Sequence, residues 1–237
     1  AGRFTKANFN QRGSSSEGWN KTTVDFSTKD ITYDENGNLV TMTQMGIVAG
    51  GTTPVTVDNL SYQYFTKSNK LRSVTDQAGG SASGKLGDFK DGSNNPGTDD
   101  YSFDENGRLI LDHNKRISSV QYNYFDKPEL ITIAPPQGGT GGGTIRYIYA
   151  AGGGKMQKIV TESPAPSNGN QQRVITTTYI GAYVYEQITI AGTPQPEALQ
   201  MIQHGEGRIR IITPYINSAD PANVLSGGVA LPGGKQG

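Results

Sequence analysis

Apolar and polar residues alternate along several short runs of the chain, and this period of two is typical of β-strands. Clusters of Gly and Pro separate the runs and indicate turns and loops. No stretch of a dozen residues combines helical spacing with a capping signal. The pattern predicts an all-β fold of serial antiparallel hairpins. Its clearest strand candidates are VTVDNLSYQYF (55–65), ISSVQYNYF (117–125), TIRYIYA (144–150), VITTTYI (174–180) and RIRIITPYI (208–216).

One motif with the order aromatic residue, Asp, turn and Leu occurs twice. The first copy is YDENGNL (33–39) and the second is FDENGRL (103–109). An Asn-Gly pair between alternating flanks favours a two-residue type I′ hairpin loop, because both central residues of that turn require positive φ. We therefore predict hairpin tips at Asn36-Gly37 and Asn106-Gly107. The repeat residues predicted from the two copies are Tyr33, Asp34, Gly37, Leu39, Phe103, Asp104, Gly107 and Leu109.

A Tyr-x-Tyr unit occurs at four further places, and Ile31/Tyr33 and Tyr101/Phe103 fill the same frame in the two motif copies. Residues i and i+2 of a strand share one face, so each unit presents two rings on one side of the sheet. The units are expected on incoming strands, where their rings can pack in columns beside a Leu or Met of the outgoing strand. We expect the rings at 62/64, 122/124 and 147/149 to be largely buried. Stable addition of such hairpins implies about a dozen strands. The predicted residues are Tyr62/Tyr64, Tyr122/Tyr124, Tyr147/Tyr149 and Tyr183/Tyr185, with Leu71, Leu130 and Met156 on the outgoing strands.

The order and spacing of these motifs resemble the YD repeats of Rhs (rearrangement hot-spot) proteins, which are large bacterial polypeptides related in architecture to teneurins. The resemblance extends from about Val24 to about Ile211, and its most specific part is DYSFDENGRLILDHNKRISSVQYNYFDKPELITI (100–133). It is similar to the last repeats before the Rhs-repeat-associated core boundary. The family's usual D-H-L-G-N-V-R-like run and its aspartate-dependent self-cleavage site are absent from the sequence, so no residue is assigned to self-cleavage.

The resemblance implies a curved or spiralling sheet that is part of a larger hollow shell around a C-terminal effector or toxin. On this expectation the chain is a non-catalytic piece of a longer, secreted or cell-surface bacterial protein. Its partners are neighbouring segments of the same polypeptide and the enclosed effector, which lies outside these residues. Residues 1–23 are then an N-terminal repeat remnant, 24–212 the repeat strip, and 213–237 a truncated Gly/Pro-rich C-terminal extension.

Charge and composition argue against several other classes of protein. The 21 basic residues balance the 21 acidic ones, and the longest basic run is Lys115-Arg116. Binding to nucleic acid or anionic lipid is therefore not expected. The absence of cysteine excludes disulfides and cysteine-ligated metals, and no apolar stretch approaches the roughly 18 residues of a membrane span. Low charge, at 18% of residues, combined with open strand edges predicts self-association.

Candidate catalytic and ligand-binding groups are more simply explained by turns and strands. His113 lies in a polar turn candidate, and His204 with Glu206 supplies only two of the ligands a metal site needs. The acidic pairs Asp34-Glu35 and Asp99-Asp100 invite a glycosidase hypothesis, but adjacent strand residues point to opposite faces. The glycine-rich segments 138–144 and 152–155 lack the complete phosphate-loop pattern. Spaced oxygens in 88–95 leave calcium open as a weak alternative. No catalytic residue, metal ligand or cofactor is assigned.

A second class of function remains open from the sequence. Exposed Tyr side chains and the single Trp19 could stack on sugars, which would make the chain an extracellular or cell-surface glycan-binding module. An enzyme ranks third, after the shell segment and the glycan-binding module.

Overall fold

A computed structural model of the chain describes residues 2–21, 23–78, 85, 87–91 and 99–211. The expectation of an all-β fold is confirmed, because these ranges contain antiparallel strands, one short 3-10 turn at Pro166–Asn168 and no α-helix. Accordingly, this part of the chain has no helix long and apolar enough to cross a membrane. The predicted C-terminal extension, 213–237, lies outside the described residues.

Strand bounds follow the predicted alternation closely over residues 55–64 and 144–149. The strands are β1 (Thr28–Tyr33), β2 (Leu39–Gly46), β3 (Val55–Tyr64), β4 (Leu71–Asp76), β5 (Tyr101–Phe103), β6 (Leu109–Asp112), β7 (Ile117–Tyr122), β8 (Pro128–Ile133), β9 (Gly143–Tyr149), β10 (Lys155–Glu162), β11 (Arg173–Ile180), β12 (Tyr183–Ile190), β13 (Thr193–Pro194), β14 (Ala198–His204) and β15 (Gly207–Arg210).

The chain divides into two compact units, Ala1–Ser119 and Val120–Gly237. In the first unit, β1 to β4 form an antiparallel sheet in chain order, and β5 and β6 form a hairpin followed by the start of β7. In the second unit, the strands from β8 to β12 pair in chain order, and β12 continues to β14 and β15. The short β13 folds back on β12. Each unit is therefore built from serial hairpins without crossover connections among its described strands.

Few apolar side chains are fully buried, which is expected for sheets built from single hairpins rather than a thick core. Most strand residues are half-buried, so backbone ladders and contacts between neighbouring hairpins supply much of the cohesion. The buried apolar residues described in the first unit are Val57, Leu60 and Val74, and those in the second are Val120, Ala165 and Val184.

The N-terminal segment lies along the outer edge of β1. Ala7 and Thr28 exchange backbone hydrogen bonds of 2.8 and 2.9 Å, and the Ile31 N–H donates to the Thr5 carbonyl oxygen at 3.2 Å. The rings of Phe9 and Phe26 pack edge to face with centroids 5.3 Å apart. The segment therefore pairs with β1 as an irregular edge strand, which covers backbone groups that would otherwise be open to another chain.

Candidate functional site

The first motif copy forms the tip of the β1–β2 hairpin. The Gly37 N–H donates to the Asp34 carbonyl oxygen at 3.0 Å, and the Asp34 N–H donates to the Asn38 carbonyl oxygen at 2.9 Å. Gly37 has a positive φ of 87°, whereas Asn36 is not among the residues with positive φ. The tip is therefore a type I turn followed by a left-handed glycine. The predicted type I′ turn at Asn36-Gly37 is wrong, although the prediction of a hairpin tip is correct.

The second copy repeats this geometry in the β5–β6 hairpin. The Gly107 N–H donates to the Asp104 carbonyl oxygen at 2.9 Å, and φ of Gly107 is 80°. Asn106, like Asn36, does not take a positive φ, so the type I′ prediction is wrong here too. The Asp104 side chain explains the difference, because its Oδ1 accepts the Arg108 N–H at 2.8 Å and holds the longer loop.

Hydrogen bonds to both turn carboxylates lower their pKa values. Partial desolvation acts to raise the pKa of Asp34, but hydrogen bonds from the side chain and backbone of Asn38 outweigh it. Desolvation likewise opposes ionisation of Asp104, and the bonds from Arg108 lower the pKa of its carboxyl below the usual range. The ionised carboxylates are thus the forms that the folded turns stabilise.

Four hairpins share one pairing and one β-bulge. The aromatic residue before each turn pairs with the first residue of the outgoing strand. The second residue of the outgoing strand is then inserted relative to the incoming strand, which forms the bulge. Such a bulge bends the outgoing strand and increases its twist. The pairs are Tyr33↔Leu39, Tyr64↔Leu71, Phe103↔Leu109 and Tyr149↔Lys155, and the extra residues are Val40, Arg72, Ile110 and Met156.

A third copy of the turn, at Tyr149 to Gly154, was missed at the sequence level. The Gly153 N–H donates to the Ala150 carbonyl oxygen at 2.8 Å, and Gly153 has a positive φ of 75°. Ala150 occupies the place of the Asp, so the YD motif does not mark this copy. The signal that it shares with the other two is an aromatic residue four positions before the glycine.

The predicted Tyr122/Tyr124 unit is wrong in its second residue. β7 ends at Tyr122, and Tyr124 lies in the following turn with 83% of its surface exposed. In that turn the Asn123 Oδ1 accepts the Lys127 N–H at 3.2 Å, and Asp126 takes the left-handed position with φ of 57°. Tyr122 is therefore the residue equivalent to Tyr33, and Tyr124 is not part of a ring column.

Two other Tyr-x-Tyr units follow the predicted faces. None of their rings is exposed, while the intervening Gln63 and Ile148 are exposed, so the sharing of a face is confirmed. The limited exposure of the rings agrees with the predicted burial against neighbouring hairpins. The four rings are Tyr62, Tyr64, Tyr147 and Tyr149.

The fourth unit, at Tyr183 and Tyr185, was placed on the wrong side of its turn. Tyr183 is 46% exposed and begins the outgoing strand β12. The prediction for Tyr185 is also wrong, because Tyr185 lies inside β12, where it pairs with Thr178 of β11 and Leu199 of β14. Tyr185 is half-buried. Neither residue precedes a turn, so this unit is not a copy of the Tyr33 position.

Leu130 lies on an outgoing strand, as predicted. It sits inside β8, which follows the turn after β7, and pairs with Arg146 of the next strand, β9. The residue that begins this outgoing strand is Pro128.

Successive hairpins are joined by tyrosine hydroxyls. The Tyr64 hydroxyl donates to the carbonyl oxygen of Leu39 at 2.8 Å, and the Tyr149 hydroxyl donates to that of Pro128 at 2.9 Å. Leu39 and Pro128 each begin the outgoing strand of the preceding hairpin. The Tyr33 hydroxyl makes the same bond to Phe4 of the N-terminal segment at 2.9 Å. We call the contact between a pre-turn aromatic residue and the preceding segment a hairpin junction.

Basic side chains lie over three pre-turn rings. Arg3 lies over the Tyr33 ring, Lys70 over the Phe103 ring and Lys127 over the Tyr149 ring, with the charged group 5.3, 5.7 and 5.4 Å from the ring centroid, respectively. These distances fall within the range of cation–π attraction. The junctions at Tyr33 and Tyr149 thus combine a ring, a backbone acceptor and a neighbouring cation.

An acidic cluster lies beside β3 and β4. Asp58, Asp76 and Asp88 bring one carboxylate oxygen each to within 4.8 Å of one another. Burial raises the pKa of Asp58 and the neighbouring carboxylates add to this, whereas a hydrogen bond from the Phe89 N–H opposes it. The Lys85 ammonium lies 3.7 Å from Asp88 and neutralises part of the charge.

The cluster's oxygens already hold backbone groups. Asp76 Oδ1 accepts the Asn59 and Ala78 N–H groups at 2.8 Å each. Of the calcium alternative considered for residues 88–95, Asp88 is the member that lies in this cluster, and residues 92–95 lie outside the described part.

Both histidines take part in hydrogen bonds at turns. His113 donates its backbone N–H to the Asp100 carbonyl oxygen at 2.8 Å within a turn, and the His204 Nδ1 accepts the Glu206 N–H at 3.4 Å in the exposed β14–β15 turn. Asp100 is 1% exposed and accepts the Val74 N–H at 2.7 Å, while its neighbour Asp99 pairs with Arg72. The adjacent carboxylates therefore serve different partners, although both precede β5 and the strand argument does not apply to them.

An aromatic cleft lies beside the β7–β8 turn in the second unit. The exposed Tyr124 ring lies against Phe125 with centroids 4.0 Å apart, and Arg146 and Glu129 face each other at 4.0 Å. The cleft has a volume of about 330 Å³, and Ile148 and Tyr149 also line it. A ring face beside a donor and an acceptor can bind a small polar ligand with an apolar side.

No protein-family model matches the chain, and a search of the curated proteins finds no match either.

Proposed function

We propose that the chain is a non-catalytic structural segment of an Rhs-type β-shell that encapsulates and helps deliver a C-terminal effector or toxin encoded outside these residues. The observation that carries this proposal is the repeated hairpin junction. The same turn, bulge and aromatic contact recur at Tyr33, Phe103 and Tyr149, although the loops between them differ in length. A contact that joins each hairpin to the one before it suits a wall extended by repetition.

Several described charged side chains make structural contacts, which supports a role in the wall of a shell rather than in catalysis. Asp34 and Asp104 hold turns, Asp100 holds the β4 backbone at Val74, and Lys127 reaches the next turn. These side chains make intramolecular contacts that position hairpins. The proposal places the chain in a secreted or cell-surface bacterial protein, with neighbouring segments of the same polypeptide as its principal partners.

Protease protection of the effector in the complete polypeptide tests this function. We expect the effector polypeptide to resist digestion while it is part of the wild-type protein and to be digested rapidly as a free chain. Replacing Tyr149 by Phe together with Lys127 by Met removes two contacts of one junction and should increase digestion of the effector. The matched control is Tyr124→Phe, which alters an exposed ring outside the junctions. Equal digestion of free and wild-type effector would contradict encapsulation.

The aromatic cleft supports a second candidate, a glycan-binding module. Its specific observation is the 83% exposure of Tyr124, whose ring face is open beside Arg146 and Glu129. Trp19, 70% exposed in the N-terminal segment, supplies another open ring. Glycan-array binding that is lost in Tyr124→Ala but retained in Tyr33→Phe would support this candidate. Absence of binding in the wild-type chain would contradict it.

A further inference from the structure

The three basic residues at the hairpin junctions occupy equivalent places. At these junctions the preceding segment runs past the ring at Phe4, Leu71 and Pro128, respectively. The basic residue, Arg3, Lys70 or Lys127, comes directly before that position in the sequence. Each cation then lies over the pre-turn ring of the following hairpin. Among the described residues none of these three cations forms an ion pair, so attraction to a carboxylate does not explain their positions.

The cation lies against the left-handed glycine of each of these three turns, most closely at Gly37 and Gly153. A Cβ atom placed on Gly153 would lie 3.0 Å from the Lys127 Nζ, and one on Gly107 would lie 3.5 Å from the Lys70 Cε. A Cβ on Gly37 would overlap the Arg3 guanidinium. The glycine therefore supplies both the positive φ of the turn and an open surface against which a basic side chain packs.

Lys127 shows the chemistry most completely. Its ammonium donates to the carbonyl oxygen of Gly153 and lies 5.4 Å from the centroid of the Tyr149 ring. A carbonyl oxygen and the negative face of an aromatic ring both favour a positive group, and neither requires a carboxylate. Lysine and arginine both satisfy this environment, as Lys127 and Arg3 show.

We propose that the aromatic residue and the left-handed glycine of the turns at Gly37, Gly107 and Gly153 form a binding site for an ammonium or guanidinium group, and that the preceding segment supplies this group. We call it the cation site. It selects a basic residue in the preceding segment, which at Lys70 and Lys127 directly precedes an outgoing strand, and an aromatic residue four positions before a glycine in the next hairpin. Contact between two such hairpins is thereby favoured over contact with a segment that lacks the cation. This inference does not depend on the enclosed effector.

Hydrogen exchange of the Gly153 amide tests whether the site recognises charge. That amide is bonded to Ala150, so its exchange reports opening of the turn. Lys127→Met keeps most of the side-chain length and should accelerate exchange by about three- to tenfold, the effect of losing a partly exposed cation–π contact. Lys127→Arg should remain close to wild type. The matched control, Lys158→Met, changes a lysine on the adjoining strand β10 and should leave exchange unchanged. Equal exchange in Lys127→Met and wild type would overturn the proposal.

Chemical rescue provides a second test that does not depend on the size of the stability loss. Lys127→Ala opens the site between Tyr149 and Gly153, and free butylammonium should shift the NMR signals of these two residues and slow Gly153 exchange. 1-Butanol, which has a similar apolar chain without the charge, should not. The Gly107 amide is an internal control, because Lys70 still fills its site. Equal shifts with butanol, or shifts as large at Gly107, would overturn the assignment. If Lys127→Ala does not fold, the Lys127→Met and Lys127→Arg comparison decides the question.

Discussion

The Tyr149 hydroxyl donates a 2.9 Å hydrogen bond to the carbonyl oxygen of Pro128, the first residue of strand β8. The bond joins the tip of the β9–β10 hairpin to the outgoing strand of the hairpin before it. The equivalent bond from Tyr64 to Leu39 joins two hairpins of the first unit. One residue type at one position therefore makes the same connection in both units.

Tyr149→Phe should lower the free energy of unfolding by about 1 kcal/mol, because it removes one hydrogen bond and leaves the ring in place. Phe103 already occupies the equivalent position in the β5–β6 hairpin, so the shape of Phe suits the site. Urea unfolding measures the effect. Tyr124→Phe is the control, since that ring is 83% exposed and should give no change. Similar losses in the two variants would show that the Tyr149 bond has no special role.

Gly107→Ala should destabilise the chain by about 1 to 2 kcal/mol, because an alanine at φ of 80° adopts the left-handed region. Steric overlap does not cause this loss, because the atom nearest to the added Cβ is the Lys70 Cε at 3.5 Å. Gly152→Ala is the control, since Gly152 does not take a positive φ and has nothing within 4 Å of an added Cβ. Thermal unfolding should separate the two variants, and equal melting temperatures would contradict the turn assignment.

Acid should weaken the YD turns. The folded-state pKa of Asp104 is lowered because the bonds from Arg108 outweigh a desolvation that acts in the opposite direction. A lowered folded-state pKa adds stability above the unfolded value of about 3.9, and this stability is lost as the pH falls through the folded-state pKa. We therefore expect the urea concentration at the unfolding midpoint to decrease when the pH is lowered below about 4.

Asp104→Asn isolates the contribution of this carboxylate. The amide oxygen can still accept the Arg108 N–H, as the Asn123 oxygen accepts the Lys127 N–H. The variant should therefore fold, be less stable at neutral pH and show a weaker dependence of stability on acid. Midpoints measured between pH 3 and 7 decide this. An unchanged acid dependence would show that the ionised Asp104 does not stabilise the turn.

The sequence was sufficient to predict elements whose signals are local. Strand β3 matches the predicted alternation at 55–64, and the hairpin tips at Gly37 and Gly107 are correctly placed. The turn type was wrong because the Asn-Gly pair was considered without the preceding Asp, whose side chain accepts the N–H four residues later. Including that acceptor would have favoured the type I turn with a left-handed glycine.

The Tyr-x-Tyr pattern does not show where a strand begins or ends, and two units were misplaced for this reason. Tyr124 was assigned to a strand that ends at Tyr122. Tyr185 was assigned to an incoming strand, but it lies on the outgoing strand of the β11–β12 hairpin. Alternation is the same in both directions along a hairpin, so only the turn signal at 181–182 could have separated the two readings.

The hairpin junctions could not be predicted from local patterns. The approach of Lys127 to Tyr149 depends on the stagger of neighbouring hairpins, which the intervening loop and the β-bulge set together. The copy at Gly153 was missed because Ala150 replaces the Asp that marks the motif.

Self-association should occur through strand β15. Its four residues are exposed, and among the described strands it pairs with β14 alone. Ile209→Lys places a charge on this edge and should reduce association measured by sedimentation velocity. Ile148→Lys is the control, because it adds the same charge to β9, which is paired on both sides. A stable monomeric wild-type chain would contradict association through this edge.

Electron cryomicroscopy of the complete polypeptide that contains this chain tests the proposed function most directly. We expect the hairpins from β1 to β12 to lie in the wall of a closed shell, with density for the C-terminal effector inside it. The chain's Tyr64 and Tyr149 hydroxyls should contact the preceding hairpins in that wall. An effector located in solvent outside the hairpins, or hairpins that enclose no lumen, would contradict the account.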